Sequence, residues 1–70
     1  MADEPIVTIG MAAGVIYHEL ENGKRNLAQL KKQLSSNGYD ANTLLMAIGW
    51  LAREDKIEIK KSNKWEISLK

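Results

Sequence analysis

Seventy residues, 44% of them hydrophobic and 27% charged, leave room for one compact unit and exclude a disordered chain. The absence of cysteine rules out disulfides and thiolate metal sites and gives no sign of an oxidising compartment. Ten basic against nine acidic residues give a formal charge of +1, too balanced to name a partner by itself.

The chain opens with Met1-Ala2-Asp3-Glu4-Pro5, acidic where a secretory signal would be basic. The longest stretches without a charged residue, Pro5–His18 and Ala41–Ala52, fall short of the roughly 18 apolar residues of a membrane span. The expectation is a soluble cytoplasmic protein with a disordered lead-in over 1–5. No linker or repeat divides residues 1–70, so they read as a single domain. Charge is uneven along them. Residues 1–22 carry Asp3, Glu4, Glu19 and Glu21 and no base, whereas residues 23–70 net +5. That asymmetry permits an anionic partner on one side, or it is an ordinary solvated surface.

Ile9, Ala12, Ala13, Ile16 and Leu20 repeat at helical spacing, with Thr8 as the expected N-cap and Asn22-Gly23 as the stop. A shorter helix is expected from an Asn26 cap to about Leu34, with Leu27, Leu30 and Leu34 on one stripe. Ser35-Ser36-Asn37-Gly38 is a turn cluster. A third helix should run from an Asp40 cap to about Glu54, burying Leu44, Ala47, Ile48 and Leu51 beside Ala41.

The period then changes to two. Ile57 and Ile59 alternate with Glu58 and Lys60, and Trp65, Ile67 and Leu69 alternate with Glu66, Ser68 and Lys70. This is a β-hairpin pattern. Residues directly opposite share a face, so Ile59 must meet Trp65 or Ile67, which requires an odd loop such as Ser62–Lys64. Lys60 then faces Glu66. The expected core joins Leu30, Leu44, Ile48, Leu51, Ile57, Ile59 and Ile67 to Ile16 and Leu20.

Three helices followed by a hairpin make an α+β winged helix-turn-helix, with the hairpin as the wing. The run Leu44-Leu45-Met46-Ala47-Ile48-Gly49-Trp50-Leu51-Ala52-Arg53-Glu54-Asp55-Lys56-Ile57 resembles the third-helix-to-wing passage of such domains. More narrowly, residues 6–69 resemble a family of small, uncharacterised bacterial winged-helix proteins made of little more than this domain. The resemblance implies a short third strand near Lys24-Arg25-Asn26, beside the wing. Related sequences often place glycine after the third helix; here Asp55-Lys56 must make that turn.

Catalysis is poorly supplied. His18 is the only histidine, and its neighbour Glu19 points about 100° away around a helix. No second histidine completes a His-Glu-x-x-His metal site, so neither enzyme, metal nor cofactor is expected. Glu19 and Glu21 read as solvating charges. Gly10 and Gly14 fit no nucleotide-binding fingerprint and are expected to let another helix pack close.

Duplex DNA is the partner the fold points to, since the later helix of such domains enters the major groove while basic groups hold phosphate. Candidate phosphate contacts are Lys24, Arg25, Lys31 and Lys32 around the second helix, and Lys60, Lys61 and Lys64 on the wing. They are equally readable as solubilising lysines. The outward side of the third helix collects Gly49, Asn42, Arg53, Met46 and Trp50. Only Asn42 and Arg53 there are suited to reading bases. Met46, Gly49 and Trp50, with Met11 and Val15 of the first helix, fit instead a partner protein or a homodimer, unless Trp50 packs under the wing or against the first helix. Two functions stay open: a DNA-binding, transcription-associated module with weak sequence readout, and a protein-contact or self-association module without DNA.

Overall fold

The apolar periods produce three helices and a three-stranded sheet. In this computed structural model, which describes residues 5–70, α1 spans Pro5–Leu20, β1 Arg25–Asn26, α2 Leu27–Ser36, α3 Ala41–Arg53, β2 Ile57–Lys61 and β3 Trp65–Leu69. This is the α+β winged-helix arrangement. The part of the expected lead-in over residues 1–4 lies outside the described residues. Pro5 is already helical, so α1 begins three residues ahead of the expected Thr8 cap. Thr8 is an interior, half-buried residue. Proline suits a first helical turn because the N–H it lacks would have no intrahelical partner there.

Local chemistry fixes the other ends. Asn26 caps α2 in a reciprocal box: its Oδ1 accepts from the Gln29 N–H at 2.8 Å, and Gln29 Oε1 accepts from the Asn26 N–H at 2.9 Å. Asp40 Oδ1 accepts from the Thr43 N–H at 2.8 Å and starts α3. After α2, Gly38 turns left-handed at φ 88°, and the Tyr39 N–H reaches back to the Leu34 carbonyl at 2.9 Å. After α3 the same device recurs without glycine. Asp55 takes φ 62°, and the N–H groups of Asp55 and Lys56 bond the carbonyls of Ala52 at 3.0 Å and Leu51 at 3.1 Å. Asp55 also forms an ion pair with Lys70, at the far end of the chain.

The sheet order is β1-β3-β2, all antiparallel. The hairpin register sets Ile59 opposite Ile67 and Lys60 opposite Glu66 across the three-residue loop Ser62–Lys64, as parity requires. The short third strand is present, with Arg25 opposite Ile67 and Asn26 opposite Glu66.

The core gathers Ile16 and Leu20 of α1, Leu30 and Leu34 of α2, Leu44, Ala47, Ile48 and Leu51 of α3, and Ile57 and Ile67 of the sheet. Ala12 and Ala13 complete it. Helix α1 packs most extensively on α3. Some expectations fail here. Ile59 is 41% exposed although its cross-strand partner Ile67 is buried. It lies on edge strand β2, two pairs nearer the wing tip than buried Ile57. Gly14 meets nothing within 4 Å where a Cβ would stand, and a Cβ at Gly10 would make only an ordinary 3.7 Å contact with Trp50. Close helix approach therefore does not need either glycine. Ala41, at the first turn of α3, is exposed.

Burial ranks the cost of truncation. Leu51→Ala should destabilise the fold by about 2–5 kcal/mol, and Ile59→Ala by well under half as much, because its side chain is already half in water. Parallel denaturant melts of the two variants check this; equal destabilisation would mean that the wing is covered in solution.

The Asp40 cap adds a pH dependence. Hydrogen bonding, chiefly from the Thr43 N–H, holds the Asp40 carboxyl below its ordinary value. A depressed folded-state value means that this contribution is complete above the ordinary carboxylate range and is lost as pH falls through the depressed one. Asp40→Asn should keep a working cap yet lose this component of acid sensitivity, whereas Asp40→Ala should melt lower at neutral pH. Thermal melts at neutral pH and across the acid limb check both.

Candidate nucleic-acid interface

The basic residues of the second half separate into engaged and unengaged groups. Arg25 bonds Glu19 through Nε at 3.1 Å, and its Nη1 donates to the carbonyls of Lys24 at 3.1 Å and Gly23 at 3.4 Å. Both partners of that ion pair are three-quarters buried, so it fastens the end of α1 to β1. Glu19 is therefore a structural partner rather than the solvating charge expected. Lys24 lies 3.8 Å from Glu66 on the outer face of the sheet. Glu66 takes this ion pair with Lys24, although Lys60 stands directly opposite it in the register.

Lys31 and Lys32 on α2, and Lys60, Lys61 and Lys64 on the wing, are exposed. None of them forms an ion pair with a described carboxylate. Lys61 lies over the Trp65 ring, 5.3 Å from its centroid. Residues 61 and 65 are cross-strand partners at the far end of the hairpin, so this cation and ring sit together at the base of the wing loop.

Helix α3 presents Asn42, Leu45, Met46, Gly49, Trp50 and Arg53 as exposed positions. Asn42 and Arg53 are the polar ones suited to base edges, and both are outward as expected. Trp50 lies between its two expected fates: its ring approaches Gly10 of α1, yet it stays 37% exposed. With Ile6 and Ile9 of α1, residues Met46, Gly49, Trp50, Arg53 and Glu54 line a groove of about 570 Å³. Met11 and Val15 do not line it. Met11 is exposed elsewhere on α1, and Val15 is half-buried and packs against the core.

A second groove, of about 280 Å³, runs between α3 and the inner face of the wing, lined by Leu27, Leu45, Ile48, Ile59, Trp65 and Ile67. Sequence reasoning found part of the first groove, through Met46, Gly49 and Trp50, and missed its α1 wall and the second groove. Ile6 precedes the helix expected there, and Ile59 and Trp65 share the core-facing parity of the strands. Leu45 had a usable signal, since it lies about 100° from Leu44 on the helix wheel.

His18 is exposed and lies 3.2 Å from Glu21, an ion pair only when the imidazole is protonated. Among the described residues, no three His, Cys, Asp or Glu side chains gather as metal ligands. No described helix is long and apolar enough to cross a membrane.

Residues 1–69 match the family described as "Winged helix-turn-helix domain (DUF2582)". The chain is 56% identical over 63 residues to "Uncharacterized protein MJ1608" of Methanocaldococcus jannaschii, a match covering 89% of this chain and 90% of that protein. That relative is archaeal, so the bacterial restriction carried by the resemblance is unsupported. No solved structure matches significantly. Fold, matched length and identity agree: the chain belongs to this winged helix-turn-helix domain family.

Proposed function

We propose that the chain is a non-catalytic, transcription-associated module that holds duplex DNA by its phosphates and reads little base sequence. The observation that carries this reading is the set of exposed lysines on α2 and the wing that form no ion pair with a described carboxylate: Lys31, Lys32, Lys60, Lys61 and Lys64. Phosphate contacts supply affinity without sequence information. Lys24 and Arg25 offer DNA less, because Glu66 and Glu19 already engage them. Asn42 and Arg53 are all that α3 offers for base edges, so discrimination is limited. Membership in a winged-helix family supports the same reading by analogy.

A specific observation favours a second reading, protein contact or self-association: α3 is flanked on both sides by an apolar groove.

The double variant Lys61→Ala/Lys64→Ala should bind every duplex more weakly. Its plot of log K against log salt should flatten by about 0.9 for each phosphate no longer neutralised. Mobility-shift titrations at several salt concentrations read both quantities. Affinity and slope unchanged without the two wing lysines would remove this footprint.

A further inference from the structure

We infer that the groove between the start of α1 and the C-terminal turn of α3 receives a second copy of this chain, across a two-fold axis that sets Arg53 of each copy against Glu54 of the partner subunit. This inference goes beyond the DNA reading and stands without it.

The floor of the groove is apolar and open. Ile6 is 64% exposed, Met46 51% and Trp50 37%, on helix faces where a solvated domain carries polar side chains. Gly49, also in the lining, has nothing within 4 Å where a Cβ would stand, so no packing inside the chain calls for a glycine. In a helix interior glycine costs roughly 1 kcal/mol relative to alanine. Its use there admits the side chain of an incoming surface.

The lip of the groove identifies the occupant. Arg53 and Glu54 are consecutive, exposed and of opposite sign, and neither forms an ion pair with another described residue. A two-fold interface brings a patch against itself, so residue i meets j while j meets i. A lip bearing one cation and one carboxylate is complementary to its own copy. DNA would gain from Arg53 but be repelled by Glu54. The groove under the wing has no such lip: none of its lining residues is charged, and the cation held over its Trp65, Lys61, would meet its own copy as lysine against lysine.

A stable interface buries about 800 Å² per partner, roughly one sixth of the 4964 Å² this chain exposes. The α1–α3 groove with its rim supplies the apolar centre of such a patch. A dimer formed there turns Arg53 away from DNA and leaves the lysines of α2 and the wing outside the interface.

Sedimentation equilibrium of the DNA-free protein, from micromolar to near-millimolar concentration, tests the inference. The wild-type mass should rise from monomer towards dimer. Arg53→Glu and Glu54→Arg should each raise the dissociation constant at least about tenfold, because each sets like charges across the axis. The double variant Arg53→Glu/Glu54→Arg should recover most of the affinity, and an equimolar mixture of the two single variants should associate better than either alone. Met46→Glu should abolish the dimer, and Met11→Glu, outside the groove, should leave it intact. Thermal melts of dilute samples establish that each variant is folded. A constant monomer mass overturns the inference, as does a dimer indifferent to the single reversals, a double variant no better than the singles, or loss of association in Met11→Glu alone. All these measurements are made without DNA, so their failure leaves the phosphate-binding reading standing.

Discussion

Ile67 fastens the sheet to the helices, and the shape of the surface follows from how little else does. It is the one buried residue of the central strand, 1% exposed, with Arg25 of β1 on one side and Ile59 of β2 on the other. Only Ile57 joins it from the sheet in the buried core, while Leu69 packs at its edge. Towards the loop the same strand face continues through Ile59 and Trp65, both exposed. Apolar surface remains where the wing end of the sheet lies beyond the buried core. The groove under the wing is that uncovered length.

Where structure depends on neighbours in sequence, it is legible in the sequence. The Asn26–Gln29 box spans three residues, the Asp40 cap another three, and the hairpin register follows from the parity of Ile59, Ile67, Lys60 and Glu66. Each interaction lies within one helical turn or across one tight loop. Parity assigns a face but not the point at which that face runs out of cover, which is why Ile59 reads as core and stands exposed. Helix α1 starts earlier than its pattern suggests because Pro5 can open a helix ahead of the apolar run, whereas Thr8 only resembles a cap. The ion pair of Glu19 with Arg25 depends on the turn after α1 bringing two elements together, and no local pattern announces it.

Ion pairs also change what the charge asymmetry means. In the sequence, the excess of bases over residues 23–70 reads as one continuous resource for an anionic partner. Three of those cations instead close seams of the fold: Arg25 ties β1 to α1, Lys24 meets Glu66 on the sheet, and Lys70 meets Asp55 at the turn after α3. Exposed pairs such as the last two contribute little to stability, but they locate side chains. The Asp55 pair has a further consequence. Asp55 stands in a left-handed conformation that glycine takes at lower cost, and in place of glycine it brings a carboxylate that meets the chain's last residue. Hydrogen bonding to Asp55 raises the Lys70 ammonium value, so the interaction is complete below the ordinary lysine range and fades as pH rises through the raised one.

Helix α3 is the element on which the two proposed functions meet, and its composition separates them. A helix that reads a major groove gains from long polar side chains along its outward face, whose cost in lost freedom is offset by bonds to base edges. Between Asn42 and Arg53, the outward positions here include Leu45, Met46, Gly49 and Trp50, none of which can make a strong bond of that kind with its side chain. In water these groups gain nothing from exposure, and Gly49 weakens the helix that carries it. The same residues become favourable once another apolar surface covers them. Phosphate contact makes no comparable demand on α3, because exposed lysines on α2 and the wing can supply it. A winged helix can therefore use its third helix for a protein partner and its basic flanks for DNA, with Arg53 the residue over which the two roles compete.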